Sequence, residues 1–436
     1  MRIIKTSSHL SFQAEYFPPP DKSISHRSIF LSALGENEVT IDNFLFCDDC
    51  FTTINVFRNL GVDIKIENHI VKVKGVGLTG LKPPLSSIYL GNSGTTARLL
   101  LGVLSAQPFE CQLYGDQSLN ARPMKRVTEP LSLMGAKFVF MRREGYFPIR
   151  VKGKKLKGIE YRLPVASAQV KSALLLAGLY AQGNTVVIEP AKSRDHTEKM
   201  LIEFGVRIKI DGLRIEITPV ERINTKNISI PGDISSAAFF ITLTLLTDNS
   251  QLVVKNVGIN PTRMGFIQAL KRMGADIKII PYNRLQSQEP VGDIIVKSSE
   301  LKAIEITPDE IPLMIDELPL IFLLASYAQG TTKIYSASEL RVKETDRINS
   351  ISTNLNAMGA EINIEGDNVI ISGGKKLKGT ELKSFGDHRT AMTAVIAGIV
   401  GDGFSQIDDL ECVKISYPNF ISDLNKILNG KVEIKN

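Results

Sequence analysis

Hydrophobic and polar positions along this chain follow a pattern that recurs roughly every 70 residues, a spacing typical of repeated structural units. Each copy starts with a helical segment that is apolar on nearly every side, followed by a strand, an amphipathic helix and two more strands. Such an apolar helix is predicted to be buried, whereas the amphipathic helix should cover the core. The apolar helices are expected to begin near six positions: Ser23, Ser93, Ser167, Ile234, Asp316 and Asp387. Together with a strand before its first helix, each copy is a βαβαββ unit.

The second helix of each copy has a recognisable end. In five copies a glycine follows the last helical residues, which suits a left-handed helix C-cap. These glycines are Gly61, Gly135, Gly205, Gly274 and Gly359. The sixth second helix is predicted over residues 419–428, and the strand 431–435 follows it.

Six units divide naturally into two groups of three, with Pro-rich segments at 18–20 and 230–233 as the predicted hinges. The first domain is predicted over 21–231. The second is predicted over 232–436 together with the N-terminal segment 1–17. Two lobes on a double hinge could close over a ligand.

Composition narrows the functional classes. The chain has 436 residues, 43% of them hydrophobic, and a net charge of +6 from 52 basic and 46 acidic residues. These charges are mixed along the chain, without a cationic run of the kind that forms nucleic-acid-binding tails, so small anionic substrates are favoured over nucleic acid. The densest apolar run, 173–181, is too short to cross a bilayer.

Localisation and redox state follow from similar arguments. The N-terminal residues form a strand-like pattern without a signal peptide, so we expect a cytoplasmic protein. Four cysteines fit a reducing compartment. The pair Cys47 and Cys50 forms a lone CxxC motif with no second pair or nearby histidine, which is weak support for metal or redox chemistry.

Four segments combine cations with the small or polar residues found at helix starts: 21–27, 91–98, 340–347 and 386–389. Helix N-termini carry free N–H groups and a positive dipole, so they attract anions. Seven side-chain cations would add to this attraction: Lys22, Arg27, Arg98, Arg122, Lys343, Arg347 and Arg389. Should these helix ends converge on the space between the two lobes, the result would be a site for small polyanions.

Two other kinds of site are excluded. Residues 75–80 match GxGxxG, but prolines follow instead of the helix that a dinucleotide-binding fingerprint requires. The five histidines show no metal-ligand spacing. We therefore expect no metal and no organic cofactor.

The motifs as a set resemble those of the EPSP synthase (3-phosphoshikimate 1-carboxyvinyltransferase) family along essentially the whole chain. The matching segments are DKSISHR at 21–27, LGNSGTTARLL at 90–100, ARPMKRV at 121–127, PVASAQVKSALLLAGL at 164–179, SRDHTEKML at 193–201, PGDISSAAFF at 231–240, IDELP at 315–319, LRVKETDRI at 340–348, GDHRTAM at 386–392 and SYPNF at 416–420. The segments 165–169 and 193–198 are similar to the bacterial branch called class II.

The resemblance implies a fold and a reaction. The fold is α/β, with two inverse α/β barrel-like domains of three βαβαββ units each and three-fold pseudo-symmetry. In the reaction, the 5-hydroxyl of shikimate 3-phosphate attacks C2 of phosphoenolpyruvate, and the tetrahedral intermediate loses phosphate. The resemblance also implies that glyphosate competes for the phosphoenolpyruvate pocket. The expected partners are these two small molecules, with no nucleic acid or membrane, and we expect a monomer.

Residue roles are implied in the same way. The residues implied for shikimate 3-phosphate are Lys22, Ser23, Arg27, Ser167, Gln169, Ser193, Asp316 and Lys343. The residues implied for phosphoenolpyruvate are Lys22, Gly94, Arg122, Gln169, Arg347 and Arg389. Asp316 is the implied acceptor of the hydroxyl proton, and Glu344 and Lys22 are implied to deliver a proton to the methylene carbon.

Several of these positions have a second interpretation. Asp316 could be a helix N-cap, and Glu344 could merely orient Arg347. His388 could be structural instead of catalytic, so it is left out of the catalytic residues. Arg98 could brace its loop instead of touching a ligand.

The chain also departs from the family pattern. Ala168 replaces a second serine, Glu339 replaces an asparagine of some relatives, and Leu99 replaces a proline that follows the arginine in some relatives. Lys414 lies one residue out of register with the lysine before the motif at 416–418.

Two other functions are alternatives to the reaction that the resemblance implies. UDP-N-acetylglucosamine 1-carboxyvinyltransferase shares the fold, but it typically has Lys-Asn where this chain has Lys22-Ser23, and it has a reactive cysteine that is absent from 118–123. A non-catalytic ligand-binding relative is the other alternative, and the complete set of cations and acids argues against it.

Overall fold

The computed structural model describes residues 2–5, 10–283 and 289–435. The predicted domain ranges also include residues 1, 6–9, 284–288 and 436, which lie outside the described residues.

The first half of the strands, in chain order, are β1 (Arg2–Lys5), β2 (Gln13–Tyr16), β3 (Glu38–Asp42), β4 (Asp63–Glu67), β5 (Ile70–Lys74), β6 (Ile88–Tyr89), β7 (Glu110–Tyr114), β8 (Lys137–Phe140), β9 (Ile149–Lys152), β10 (Glu160–Arg162), β11 (Thr185–Ile188) and β12 (Ile208–Asp211). The remaining strands are β13 (Arg214–Ile217), β14 (Ile228–Ser229), β15 (Gln251–Gly258), β16 (Asp276–Pro281), β17 (Val291–Lys297), β18 (Glu305–Ile306), β19 (Thr331–Ile334), β20 (Glu361–Glu365), β21 (Asn368–Ser372), β22 (Glu381–Leu382), β23 (Ser405–Ile407) and β24 (Val432–Lys435).

The α-helices are α1 (Lys22–Leu34), α2 (Asp48–Asn59), α3 (Gly94–Leu104), α4 (Gln117–Asn120), α5 (Lys125–Met134), α6 (Ala168–Gly178), α7 (His196–Glu203), α8 (Ile234–Leu245), α9 (Gly265–Arg272), α10 (Ile311–Met314), α11 (Leu318–Tyr327), α12 (Arg347–Ala357), α13 (His388–Val400) and α14 (Phe420–Leu428). Short 3-10 helices cover Pro261–Arg263, Ser338–Val342 and Glu411–Ile415.

The described chain divides into two compact units. The N-terminal unit comprises Pro20–Pro231 and Glu289. The C-terminal unit comprises the described residues before Pro20 and those from Gly232 onward, except Glu289.

Each unit contains three four-stranded sheets among its described residues. In the N-terminal unit the strand orders are β14-β3-β5-β4, β6-β7-β9-β8 and β10-β11-β13-β12. In the C-terminal unit they are β16-β17-β15-β2, β18-β19-β21-β20 and β22-β23-β1-β24. Every sheet combines one parallel pair with two antiparallel pairs, as in β6–β7 followed by β7–β9 and β9–β8. The predicted α/β fold with repeated βαβαββ units is therefore confirmed.

The predicted apolar helices form the centre of each unit. They are α1, α3 and α6 in the N-terminal unit, and α8, α11 and α13 in the C-terminal unit. All twelve residues of α8 are buried, and α8, α11 and α13 pack pairwise against one another. Each unit has its own continuous hydrophobic core. A helix that is apolar on nearly every side can bury its side chains only at the centre of such a unit.

The predicted left-handed caps are also confirmed. The glycines that follow the second helices have φ of 89° at Gly61, 115° at Gly135, 82° at Gly205, 95° at Gly274 and 98° at Gly359. A side chain is strained at such φ values, so glycine is the residue of choice. In the sixth copy Asn429 takes the same role, with φ of 45°.

A chain of buried hydrogen bonds connects helices α1, α2 and α3 of the N-terminal unit. The Nδ1 of His26 on α1 lies 2.7 Å from the hydroxyl of Thr53 on α2. That hydroxyl lies 2.7 Å from the hydroxyl of Thr96 on α3, which in turn bonds Ser93 at 2.7 Å. His26 has no exposed surface. Burial, with smaller contributions from Lys22 and Arg27, lowers the pKa of His26 well below its ordinary value.

This environment predicts a pH-dependent stability. His26 stays neutral in the folded protein but binds a proton in the unfolded chain below the ordinary histidine pKa of about 6.5. The free energy of unfolding should therefore fall as pH decreases through this value, by up to about 1.4 kcal/mol per pH unit from His26 alone. His26→Gln should remove this contribution. Urea unfolding of both proteins at pH 7.5 and 5.5 measures it, and identical pH dependence would contradict the assignment.

Candidate active site

The apolar helices α1, α3 and α6 of the N-terminal unit each start at an N-capping side chain. Asp21, Ser93 and Ser167 are the N-caps of α1, α3 and α6, and each accepts a backbone N–H from the first turn. The remaining N–H groups and the helix dipoles favour an anion at these ends.

Two predicted ligands lie at the start of α1. The Lys22 ammonium is 3.0 Å from Oδ2 of Asp49, in the first turn of α2. The Ser23 hydroxyl accepts a hydrogen bond of 3.4 Å from Nη1 of Arg194. Lys22 is partly exposed, so its ammonium is held in place by a carboxylate while remaining accessible.

Side chains of α3 and α6 meet at their N-terminal ends. Arg98 donates from Nη1 to Oε1 of Gln169 at 2.6 Å. Gln169 donates from Nε2 to the Thr95 hydroxyl at 3.0 Å. Arg98 therefore orients Gln169, and this contact supports the interpretation of Arg98 as a bracing residue.

Arg122 lies beside the same helix end. Its Nη2 donates to Oδ1 of Asn92 and, at 3.2 Å, to the hydroxyl of Ser118. Asn92 is in turn held by Asp116 through a 2.8 Å bond. A Cβ placed on Gly94 would lie 3.0 Å from Nη1 of Arg122, so the arginine passes close to the glycine.

Arg27 is buried within the N-terminal unit. Its Nε donates to Thr197 at 2.7 Å, Nη1 to the Ser23 carbonyl at 2.9 Å and Nη2 to Ser172 at 3.0 Å. Burial lowers the pKa of Arg27 to about 10, so the guanidinium remains charged near neutral pH. Three of its five N–H groups donate to protein acceptors among the described residues.

The C-terminal unit places three carboxylates around one arginine. Arg347, at the start of α12, donates from Nε to Asp387 at 2.8 Å, from Nη2 to Glu344 at 2.6 Å and from Nη1 to Asp316 at 3.4 Å. Arg347 is only 2% exposed. Although burial disfavours its charge, the three carboxylates raise the pKa of Arg347 above its ordinary value. The predicted acids Asp316 and Glu344 are thus fixed on the same guanidinium and remain partly exposed.

The start of α13 is organised by Asp387. Its Oδ1 caps the helix by accepting the N–H groups of Arg389 and Thr390, while Oδ2 binds Arg347. The Nε of Arg389 is buried and has no hydrogen-bond acceptor among the described residues. An arginine held in this way at a helix N-terminus is suited to an anionic ligand.

Comparisons with known proteins point to one family. Residues 9–424 match the family model "EPSP synthase (3-phosphoshikimate 1-carboxyvinyltransferase)". The chain is 48% identical over 412 residues to the 3-phosphoshikimate 1-carboxyvinyltransferase of Geobacillus kaustophilus, covering 94% of this chain and 96% of that protein.

The chain belongs to the EPSP synthase family.

Two further relatives give the same result. The Bacillus subtilis 3-phosphoshikimate 1-carboxyvinyltransferase is 47% identical over 418 residues, which cover 96% of this chain and 97% of that protein. The structure of EPSP synthase from Acinetobacter baumannii superposes with a TM-score of 0.87 at 42% identity, covering 100% of this chain and 99% of that chain.

Within each unit, direct contacts join many of the residues predicted for the site. In the N-terminal unit, hydrogen bonds link Ser23 to Arg27, and Gln169 to Arg98. In the C-terminal unit, Arg347 joins Asp316 and Glu344. Lys414 is different, because its well-exposed ammonium lies 2.6 Å from Glu411, three residues away on the surface.

Sequence reasoning missed the residues that hold the candidate site in place. Asp49 holds Lys22, Asn92 holds Arg122, and Asp387 pairs with Arg347 in addition to starting α13. The sequence gives a partial signal for Asp49, because this acid lies in the first turn of a predicted helix. An acid in that position is usually assigned to the helix dipole, so its pairing with Lys22 is overlooked. The pairs Lys22–Asp49 and Arg347–Asp387 are 27 and 40 residues apart in the sequence, and no local sequence pattern indicates pairing over such separations.

The described residues contain no group of three or more histidine, cysteine, aspartate and glutamate side chains arranged to hold a metal ion. None of the described helices is both long and apolar enough for a membrane span.

Proposed function

We propose that this chain transfers the enolpyruvyl group of phosphoenolpyruvate to the 5-hydroxyl of shikimate 3-phosphate, releasing phosphate and forming 5-enolpyruvylshikimate 3-phosphate. The observation that carries the proposal is the set of helix N-termini in the N-terminal unit, which lie beside Lys22, Arg27, Arg98 and Arg122. Membership of the EPSP synthase family, with relatives named for this reaction at 47–48% identity, supports it.

The N-terminal unit supplies most of the proposed anion contacts. Lys22, Ser23, Arg27, Ser167, Gln169 and Ser193 bind shikimate 3-phosphate, and Lys22, Gly94, Arg122 and Gln169 bind phosphoenolpyruvate. Both substrates carry a carboxylate and a phosphate, and a phosphate has a charge of about −1.5 to −2 near neutral pH. Guanidinium groups match both anions because they can donate two parallel hydrogen bonds.

The C-terminal unit supplies the proposed acid and base. Asp316 accepts the proton of the attacking hydroxyl and contacts shikimate 3-phosphate together with Lys343. Glu344, with Lys22, delivers a proton to the methylene carbon, and Arg347 and Arg389 bind phosphoenolpyruvate. The hydrogen bonds from Arg347 to Asp316 and Glu344 support these roles, because they orient both carboxylates before substrate arrives.

No cofactor is part of the proposal, since side-chain cations neutralise the substrate phosphates. We place the reaction in the cytoplasm, with a monomeric protein whose partners are its two small-molecule substrates. Phosphate release assayed with shikimate 3-phosphate and phosphoenolpyruvate tests the activity, and the same assay with UDP-N-acetylglucosamine as acceptor tests the sister reaction. Turnover only with the second acceptor would overturn the proposal.

Arg122→Ala should chiefly raise the KM for phosphoenolpyruvate, by about 10–100-fold, because a hydrogen-bonded charged group contributes about 1.5–3 kcal/mol. The value of kcat should change much less, since Arg122 grips the anion in the ground state and the transition state alike. Lys125→Ala is a matched control that removes an exposed cation three residues away. Steady-state kinetics of the three proteins checks this, and a loss confined to kcat would contradict the role.

A further inference from the structure

A buried cluster of charges in the N-terminal unit has no role in the proposed chemistry. Lys171 on α6 is 1% exposed, and its ammonium lies 2.9 Å from Oε2 of Glu189 and 2.6 Å from Oε1 of Glu198. Both glutamates are also buried. Glu189 directly follows β11, and Glu198 lies in α7. The cluster therefore joins three separate segments of the unit.

The same groups hold Ser193 at two points. Oε1 of Glu189 accepts a hydrogen bond from the Ser193 hydroxyl, and the Lys171 ammonium donates to the Ser193 carbonyl at 3.3 Å. An ammonium has three N–H donors, and Glu189, Glu198 and the Ser193 carbonyl provide three acceptors. The contacts of Lys171 are therefore complete without a ligand.

The neighbouring residues extend this support. Ser172 follows Lys171 and Thr197 precedes Glu198, and both hydroxyls accept hydrogen bonds from Arg27. Lys171 of α6 thus holds Ser193, while its neighbour Ser172 and Thr197 of α7 hold Arg27. Both supported residues are proposed to bind shikimate 3-phosphate.

The electrostatics indicate that the cluster is not built for stability alone. Although burial acts against its charge, Glu198 and Glu189 raise the pKa of Lys171 above its ordinary value. Burial raises the pKa of Glu198, so it disfavours the second carboxylate charge. Charged groups at this depth are costly to desolvate, and well-packed apolar side chains often serve stability equally well. The hydrogen bonds of Lys171 and Glu189 with Ser193 indicate a different role for the cluster, which is to position that residue.

We propose that Lys171 and Glu189 are positioning residues that act through Ser193 to set the affinity for the phosphate of shikimate 3-phosphate. This inference rests on the proposed function. Neither residue touches the substrate. Together they fix the hydroxyl and the carbonyl of Ser193, so that this residue meets the phosphate without first being ordered.

Glu189→Gln and Glu198→Gln form a matched pair for the test. Each removes one carboxylate charge from the same ammonium, but only Glu189 contacts Ser193. A glutamine at 189 can still accept from the Lys171 ammonium with its oxygen, but its NH₂ group then donates to the Ser193 hydroxyl. This reverses the Ser193 hydrogen bond and turns the hydroxyl proton away from residue 189. Glu189→Gln should raise the KM for shikimate 3-phosphate about 10-fold or more. Its kcat and its KM for phosphoenolpyruvate should stay within about two-fold, as should all three constants of Glu198→Gln.

A double-mutant cycle with Ser193→Ala tests the route of the effect. If Glu189 acts through Ser193, the double variant should raise the KM for shikimate 3-phosphate little more than the stronger single variant. Additive effects would overturn the inference, and so would equal changes in Glu189→Gln and Glu198→Gln. Should Glu189→Gln fail to fold, Glu189→Asp keeps the charge but shortens its reach, and the same rise in KM is expected. An inactive wild type would overturn the proposed function instead.

Discussion

Replacing Asp316 by asparagine is expected to lower kcat by about 10²–10⁴-fold, the usual contribution of a placed proton acceptor. This corresponds to about 3–5 kcal/mol of transition-state stabilisation. Asparagine has nearly the same shape and can still meet Arg347, but its amide cannot take a proton from the 5-hydroxyl. The KM for phosphoenolpyruvate should therefore change far less than kcat.

The contacts of Asp316 make the experiment interpretable. Its carboxylate lies 3.4 Å from Arg347 and is partly exposed, whereas Glu344 lies closer to the same guanidinium at 2.6 Å. Arg347 retains Glu344 and Asp387 when Asp316 is neutralised, so its buried charge remains paired. We therefore expect a thermal unfolding midpoint close to that of the wild type.

Glu344→Gln is the comparison variant for Asp316→Asn. Steady-state rates measured across pH should show that Asp316→Asn loses the rise in kcat that accompanies ionisation of the base. Near-normal kcat in Asp316→Asn, together with loss of that rise in Glu344→Gln, would transfer the role of base to Glu344.

Gly94→Ala is expected to raise the inhibition constant of glyphosate by about 10–200-fold, and the KM for phosphoenolpyruvate by less. Gly94 is the first residue of α3, where the absence of a Cβ allows an anion to approach the backbone N–H groups closely. Glyphosate is longer than phosphoenolpyruvate, so an added methyl group should obstruct the inhibitor first.

The structure shows what the methyl group would meet. It would lie 2.9 Å from Nη1 of Arg98 and 3.0 Å from Nη1 of Arg122. Both atoms are the ends of flexible side chains, so they can move by a few tenths of an ångström without disturbing the helix. Because Arg122 is a proposed phosphoenolpyruvate ligand, a moderate rise in KM for that substrate is part of the expectation.

Ala168→Gly is a matched control for Gly94→Ala. Ala168 occupies the corresponding first position of α6, after the N-cap Ser167, and the control removes a methyl group where Gly94→Ala adds one. The ratio of the glyphosate inhibition constant to the phosphoenolpyruvate KM should stay at the wild-type value in the control. Equal fold changes of both constants in Gly94→Ala would mean that Gly94 shapes the pocket without discriminating between the ligands.

Much of the fold could be predicted because its signals are local. The starts of α1, α3 and α8 follow from small or polar residues at the start of a largely apolar helical segment, and Gly61 and Gly135 follow from the left-handed turn after a helix. Each signal involves only a few neighbouring residues, and repetition in six copies reinforces it.

The supporting contacts of the site could not be predicted in the same way. Lys171 lies in the largely apolar helix α6, and the sequence gives no indication that Glu189 and Glu198 will surround it. The three hydrogen bonds of Arg27 inside its own unit are equally hidden, since its partners lie 145 and 170 residues away, apart from Ser23. Motif resemblance suggested that Arg27 binds substrate, whereas the structure also shows what holds it in place.

The central claim is the reaction itself, and NMR of the products tests it most directly. Purified protein should be incubated with shikimate 3-phosphate and phosphoenolpyruvate in buffer containing a metal chelator, with ³¹P and ¹H spectra recorded over time. We predict that inorganic phosphate appears in step with the vinyl protons of 5-enolpyruvylshikimate 3-phosphate. Unchanged substrates, or phosphate release without the enolpyruvyl ether, would contradict the account.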